Sequence, residues 1–437
     1  MRRPTMRRFA DYDVLVLVSL VWFLGKFVRY SFPPLFEPVQ TAYGIGTATI
    51  GSAFTGFMLV YALMQFPSGV AADRIGSVRV VVAGATIAGI GALAVVLDSS
   101  FALLVAAMLV IGAGTGVHKT VAVRLVAREY PARTGRALGV HDTLGAFGGV
   151  AAPTAATVFL STPLWLAPFL ALAGLSGAGW RGMFLISAVA AFALAAAFGL
   201  RFRGRPSDGT DVLEEDKSHD GGSEDVESHD ERRDTQRDGD EPRPDVLAYF
   251  ALLRDGRFAA FVLVAIGVSF AHNGLAAFLP LYLSRVSGVT TATASLLYSV
   301  FFWTTFVQLV TGESSDRVGR LPVMVVAGGV ATAGLWGIVL APDAGPVTLG
   351  ALIAVVGVGA QGFTPVRAAY LMELLPERLA GGGLGVVRTL LMGVGAFAPG
   401  TVGIVADAFD FRVAFGMLAT VLAVATIGAV GLWATGS

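Results

Sequence analysis

The amino-acid sequence predicts an all-α integral membrane protein with twelve transmembrane helices in two pseudo-symmetric six-helix bundles. Three observations support this fold class. Hydrophobic residues make up 55% of the 437-residue chain and charged residues only 14%, which is outside the range of soluble globular proteins. The chain has about twelve apolar runs of roughly 20 residues, the length that crosses a bilayer. One short charged motif occurs twice, half a chain apart, which indicates a repeated structural unit.

The predicted spans follow from these apolar runs and the short loops between them. They lie at 13–32, 47–69, 77–97, 101–127, 136–160 and 180–200, then at 258–283, 291–312, 321–341, 347–372, 381–405 and 411–433. Glycine is abundant, and small residues let membrane helices approach closely. Cysteine is absent, which excludes disulfides and thiol chemistry. The N-terminus leads directly into span 1 without a small-residue cleavage site, so no cleavable signal peptide is expected.

The repeated motif reads G-x-x-x-D-R-x-G and separates span 2 from span 3 and span 8 from span 9. It predicts a tight, charged, glycine-bounded turn at both places. The defining residues are Gly69, Asp73, Arg74 and Gly76 in the first copy, and Gly312, Asp316, Arg317, Gly319 and Arg320 in the second. Further glycines and prolines match between the halves, including Gly112 with Gly357 and Pro153 with Pro399.

Arginines in the short loops predict the orientation of the chain. They concentrate on one side, at Arg2, Arg3, Arg7, Arg8, Arg74, Arg79, Arg128, Arg133, Arg136, Arg317, Arg320 and Arg378. The opposite loops have none, and Arg285 and Arg412 are the exceptions to this pattern. The positive-inside rule therefore predicts a multi-pass protein of the cell (plasma) membrane with cytoplasmic N- and C-termini.

Three domains are expected: an N-terminal bundle at 1–202, a linker at 203–248 and a C-terminal bundle at 249–437. The segment 206–245 contains 16 of the 31 acidic residues and few large apolar ones, so we expect a disordered, acidic, cytoplasmic tether. The first half also has extra residues at 163–179. These predict either an extension of span 5 or a segment lying at the outer face, and a re-entrant gate is a third alternative.

At the two motif copies the chain resembles the major facilitator superfamily, whose loop pattern is G-x-x-x-D-[RK]-x-G-[RK]. The second copy matches at every position, whereas the first departs at Ser77. The resemblance implies a secondary transporter that works by alternating access, with spans 1, 4, 7 and 10 lining a central cavity. It also implies that the motif residues form a cytoplasmic gate, in which a carboxylate faces a helix N-terminus in one state. The alternative is that these charges only set topology.

Two local resemblances point to branches of this family. The stretch from Gly139 to Pro153 resembles the span 5 motif of proton-coupled drug exporters, but Ala152 replaces a glycine and Met108 stands where the exporters have an arginine. The stretch 116–153 is similar to the fosmidomycin-resistance branch. That branch has a histidine at the position of His118 and a proline at that of Lys119.

Ionisable and polar groups within the spans are the candidate substrate-binding residues, because such groups are costly in a membrane. They are Lys26, Arg29, His118, Lys119, His272, Asn273 and Gln361. Acids are scarce in the same zone, so the predicted cavity is positive and favours anions. Arg29 is suited to a forked contact with a carboxylate, phosphonate or nitrate-like oxyanion. Alternatively, Arg29 reaches the outer interface, as Arg124 and Arg367 are expected to reach the inner one.

Proton coupling requires a group that titrates near working pH. The candidates are His118, His141 and Asp142, since histidine titrates near neutrality and burial shifts a carboxylate toward it. Asp142 aligns with Arg388 in the repeat, so an alternative role for it is a salt bridge between the halves.

The expected function is transport of a small organic or inorganic anion, coupled to protons or by exchange. The alternatives are a multidrug-type exporter of lipophilic compounds and a non-transporting membrane sensor. No enzyme activity, cofactor, metal site or nucleic-acid partner is expected, because the sequence has no nucleophile–base pattern, metal-ligand cluster or P-loop. Membrane lipids surround the protein, and the family resemblance implies a monomer.

Overall fold

The structure is a computed structural model that describes residues 12–97, 100–162, 167–172, 174, 179–203, 252–375 and 380–435, without the side chains of 170 and 380–386. Twelve helices in these ranges are long and apolar enough to cross a membrane, and the described part contains no strand. Spans 1–12 extend over Asp13–Tyr43, Thr47–Ile75, Ser77–Val96, Phe101–Glu129, Pro131–Ser161, Arg181–Arg201, Gly256–Arg285, Thr291–Val318, Arg320–Leu340, Pro346–Leu374, Val387–Ala408 and Phe411–Ala434. The predicted fold class is confirmed.

Span 1 is longer than the sequence predicts. Its first helix, Asp13–Ser31, is followed by a 3-10 turn at Pro33–Leu35 and a second helix, Phe36–Tyr43. The adjacent prolines Pro33 and Pro34 lack backbone N–H donors, so they interrupt α-helical hydrogen bonding without reversing the chain. The prediction that span 1 ends near residue 32 is therefore wrong.

The sequence predicts a tight, charged, glycine-bounded turn; the glycine-bounded joint is present, but the charged residues of the motif form the end of the preceding helix and not the turn itself. The first copy of the motif lies in helix Gln65–Ile75 and the second in helix Val307–Val318. A single residue then separates each helix from the next span. These residues are Gly76, with φ of 90°, and Gly319, with φ of 99°, a region that favours glycine. The matching geometry confirms the repeat at this point.

Helix packing has the same pattern in both halves. Span 1 packs on span 5, and span 3 packs on spans 4 and 6. In the second half, span 7 packs on span 11, and span 9 packs on spans 10 and 12. The halves meet where span 2 crosses span 11 and where span 5 crosses span 8. These two contacts are themselves related by the repeat, which supports the predicted pseudo-symmetry of the bundles.

We call the side where span 1 begins and span 12 ends the termini face, and the opposite side the far face. On the far face, the carboxylate of Asp407 in span 11 caps the N-terminus of span 2. It accepts hydrogen bonds from the backbone N–H groups of Thr47 (3.2 Å) and Ala48 (2.7 Å). Two further hydrogen bonds join the halves on this side, from Arg285 to Gln40 at 3.0 Å and from Thr291 to Glu37 at 2.9 Å. The far face is thus closed by direct contact between the halves.

The outer surface of the bundle is apolar. Large hydrophobic side chains are exposed along many spans, including Leu63, Leu263, Leu309, Val347 and Ile427. An apolar belt of this extent would aggregate in water and matches the hydrocarbon of a bilayer.

Two predicted segments lie partly or wholly outside the described residues. In the extra segment of the first half, span 5 ends at Ser161 and a separate helix, Ala167–Leu172, follows. The segment is therefore not an extension of span 5. The predicted linker lies outside the described residues beyond Arg203, and the three domain boundaries stay predictions.

We expect Asp407→Ala to shift the protein toward a state that is open at the far face. Loss of a helix cap costs ~1 kcal/mol, which is about a fivefold change in a two-state equilibrium. Because the chain has no cysteine, a single Ser299→Cys at the span 5–span 8 contact can report opening through its rate of maleimide labelling.

The matched control is Asp410→Ala, because Asp410 caps span 12 within its own half by accepting from the N–H of Val413 (2.7 Å). Equal labelling rates in the two variants would contradict a specific role for Asp407.

Candidate substrate cavity and coupling site

The candidate residues of the first half converge at mid-membrane depth on spans 1, 4 and 5. At their centre, Lys119 Nζ lies 2.6 Å from Asp142 Oδ1, and the two side chains are 17% and 56% exposed. Asp142 is therefore paired within its own half, and the alternative of a salt bridge with Arg388 is wrong.

The indole of Trp22 is a platform for two ammonium groups. Lys26 Nζ lies 5.3 Å and Lys119 Nζ 5.0 Å from the ring centroid, which is within cation–π range. Trp22 reaches this position because span 5 has a glycine opposite it: a Cβ on Gly145 would overlap the indole ring. The sequence places Trp22 and Lys26 one turn apart on span 1, but nothing in it indicates that Lys119 shares the ring.

His118 and His141 both lie beside the same indole and beside each other. The centroid of Trp22 is 6.0 Å from that of His118 and 6.1 Å from that of His141, and the two imidazoles are 5.8 Å apart. His118 is 4% exposed and His141 0%. In the sequence, His118 directly precedes Lys119, and His141 directly precedes Asp142. The structure thus brings together all three predicted proton-coupling residues.

Arg29 lies at the contact between the halves. Its guanidinium carbon is 4.9 Å from the ring centroid of Tyr61 and 5.3 Å from that of Tyr30. Its Nη2 donates to Asn273 Oδ1 of span 7 at 3.4 Å, and the amide of Asn273 is oriented by donation to the carbonyl of Ser269 (2.8 Å). Arg29 therefore lies inside the bundle and does not extend to the interface.

The remaining candidates, His272 and Gln361, lie in the second half. Gln361 Oε1 accepts from Gln308 Nε2 at 3.1 Å. The ring of His272 lies next to that of Phe301, with centroids 5.4 Å apart and the ring planes tilted by 43°, and Arg29, Arg367 and Lys26 are the cations near it. Among the described residues, no hydrogen bond or ion pair joins Gln361 to the first-half cluster.

The residues predicted to form a gate make their ion pairs within each half. Asp73 pairs with Arg124 of span 4, so the expectation that Arg124 only reaches the interface is wrong. In the second half, Arg317 pairs with Glu313 (2.5 Å) and Arg320 with Glu373 of span 10 (2.7 Å). The repeated motif therefore has repeated backbone geometry but different partners in its two copies.

The remaining motif residues flank these pairs. Gly69, Arg74, Gly312 and Asp316 lie in the last turns of spans 2 and 8, and Arg74 and Asp316 are exposed. Across the described residues, the ion pairs on the termini face stay within a half, whereas hydrogen bonds cross between halves on the far face. The polar contacts between the halves are therefore concentrated on the far face in this state.

The family model of the Major Facilitator Superfamily matches residues 18–399 and again 286–436. The chain belongs to this superfamily. Its members are transporters, and the chain is accordingly a multi-pass membrane transporter for small molecules.

Two curated relatives have limited similarity. A probable sulfoacetate transporter, SauU, of Cupriavidus necator is 26% identical over 168 residues, which are 38% of this chain and 39% of the relative. Multidrug resistance protein D of Escherichia coli K12 is 26% identical over 129 residues, which are 30% of this chain and 32% of the relative. The alignments thus span well under half of each relative.

Solved structures share the fold over nearly the whole chain. A bacterial homologue of the human lysosomal transporter Spinster, in an inward-facing and unoccupied conformation, has a TM-score of 0.74 at 18% identity, covering 97% of this chain and 96% of that one. A D-xylose–proton symporter has a TM-score of 0.72 at 15% identity, covering 97% of each chain.

We expect Asp142→Ala to destabilise the protein more than the double variant Lys119→Ala/Asp142→Ala. The single variant leaves the Lys119 ammonium without its counter-charge close to Lys26, whereas the double variant removes both charges. Because the Asp142 carboxylate is half exposed, we expect the coupling free energy between Lys119 and Asp142 to be no more than about 1 kcal/mol. A double-mutant cycle on the thermal unfolding of the purified protein measures it.

A coupling free energy near zero would contradict an energetically significant pair. The control is the same cycle with Arg317→Ala and Glu313→Ala. Both side chains of that pair are exposed (75% and 67%), and exposed ion pairs contribute little to the free energy of unfolding.

Proposed function

We propose that the protein is a secondary active transporter for a small organic anion, working by alternating access. The observation that supports the anion most directly is the environment of Arg29. Among the described residues, Arg29 forms no ion pair, and its Nε is buried without a hydrogen-bond partner. A guanidinium held against tyrosine faces with an open donor edge is suited to an oxyanion.

The charge balance around Arg29 supports the same substrate class. Lys26, Arg367 and Arg388 also form no ion pair within the described residues, and the carboxylate of Asp142 near Lys26 is already paired with Lys119. A low-dielectric site with this surplus of positive charge attracts anions. The two halves supply cations from opposite sides, which favours a substrate with two acidic groups.

The similarity to a probable sulfoacetate transporter is in keeping with this proposal. Sulfoacetate has a sulfonate and a carboxylate on one carbon, so it is the probe of choice. Short dicarboxylates and phosphonates share its chemistry.

The transport cycle we infer exchanges contacts on the two faces. In the present state the far face is closed, and Asp73 is held by Arg124. In the opposite state we expect Asp407 to leave the N-terminus of span 2 and the gate carboxylates to cap helices of the other half. We further propose that the termini face is cytoplasmic, that the protein lies in the plasma membrane, that protons supply the coupling, and that the monomer is the functional unit.

The second candidate is a multidrug exporter, which the similarity to multidrug resistance protein D favours. It differs in one respect that can be measured: a lipophilic substrate does not need the uncompensated cations. A non-transporting sensor would bind an anion without moving it across a membrane.

We expect sulfoacetate to raise the unfolding temperature of the purified protein, and acetate and lipophilic cations to have little effect. Ligand at about 100 times Kd adds about 2.7 kcal/mol to the free energy of unfolding, which shifts a protein of this size by several degrees. Lys26→Gln/Arg29→Gln should abolish this shift.

The matched control is Arg79→Gln/Arg136→Gln, which removes two exposed arginines outside the site. The control should respond like the unmodified protein. Stabilisation by lipophilic drugs alone, equal in both double variants, would refute the anion proposal and support the exporter. Binding of sulfoacetate without flux into proteoliposomes would support the sensor.

A further inference from the structure

Four buried polar atoms without a partner meet between spans 1, 4 and 5. They are Trp22 Nε1, His118 Nδ1 and both ring nitrogens of His141, none of which has a hydrogen-bond partner among the described residues. Ser19 Oγ, one turn before Trp22, is buried and unpaired as well. Each unsatisfied buried polar group costs ~1–3 kcal/mol, so such a concentration indicates a site that binds something small and polar.

The hydrogen-bonding pattern defines what the site can accept. His118 Nε2 lies 3.0 Å from the carbonyl oxygen of Val18. A carbonyl only accepts, so Nε2 carries the hydrogen and Nδ1 presents a lone pair. His141 has both nitrogens open. The two rings are too far apart, at 5.8 Å between centroids, to bond directly, but one shared water molecule can bridge them.

The charged groups around His141 come from three spans. Lys26 faces it from span 1, Lys119 from span 4, and Asp142 follows it on span 5; His118 is the neighbouring titratable ring, and Arg388 of span 11 acts on Lys119. Asp142 is the acid in this set. An imidazolium at His141 would therefore compete with Lys119 for the Asp142 carboxylate.

We propose that His141 and His118 form a buried proton-binding site, and that a proton bound there weakens the Lys119–Asp142 pair and releases the Lys119 ammonium toward the substrate anion. This inference rests on the proposed function and assigns its coupling site. One proton is bound and released in each cycle. His141 gains it at a free ring nitrogen and releases it to solvent by way of Asp142, whose side chain is 56% exposed. By linkage, the bound proton and the bound anion each raise the affinity for the other.

The first test needs no substrate. The chain has five histidines, so a ¹⁵N-histidine NMR spectrum of the purified full-length protein can be assigned with single His→Gln variants. From about pH 8 to about pH 4, we expect His141 to gain a proton and the His118 resonance to move with it while keeping its Nε2–H tautomer. A neutral His141 throughout, or a His118 resonance that does not respond, would overturn the shared site.

The second test separates coupling from transport in proteoliposomes with sulfoacetate. His141→Gln should lose accumulation driven by a pH gradient while exchange of sulfoacetate at equal pH falls far less. Retained accumulation would overturn the coupling role, and so would equal loss of both activities in a variant that sulfoacetate still stabilises. If the unmodified protein moves no sulfoacetate, the anion proposal fails while the NMR result still decides the proton site.

Discussion

A charge inside a bilayer has no bulk water to solvate it, so it must find a counter-charge, an aromatic face or a polar cavity. This constraint explains most of the arrangement at the centre of the molecule. Lys119 has both a carboxylate and the face of Trp22, Lys26 shares that face, and Arg29 lies against Tyr61. Aromatic faces stabilise a cation only partly, by about 0.5–2 kcal/mol. The cations on span 1 are therefore held in place but not neutralised.

The two halves share a scaffold and differ in chemistry. Helix packing and the glycine joints at Gly76 and Gly319 repeat from one half to the other. The side chains at the centre do not repeat: the ion pair, His118 and His141 belong to the first half. The second half has His272 and the hydrogen-bonding amides Asn273 and Gln361. A symmetric scaffold supports the exchange of two equivalent states, and the asymmetric side chains give those states different affinities for charge.

Sequence reasoning identifies the spans, the repeat and the candidate residues because each leaves a local signal in composition, periodicity or spacing. It does not identify partners across helices. His118 and His141 meet at Trp22 only because Gly145 leaves room for the indole, and no spacing along the chain encodes that. The Asp142–Arg388 alternative is wrong for a related reason: alignment of the repeat relates equivalent positions, and equivalent positions in two halves need not touch. The motif turn is shorter than expected because its charged residues are compatible with a helix end.

The single-residue joints at Gly76 and Gly319 have a mechanical consequence. A connection of one residue cannot lengthen or absorb slack, so span 2 cannot slide or tilt far without taking span 3 with it, and the same holds for spans 8 and 9. Spans 2 and 3 are therefore expected to move together as one unit, and so are spans 8 and 9. Span 3 in turn packs on spans 4 and 6. We therefore expect a displacement at the crossing of spans 2 and 11 to be transmitted to spans 3, 4 and 6 together.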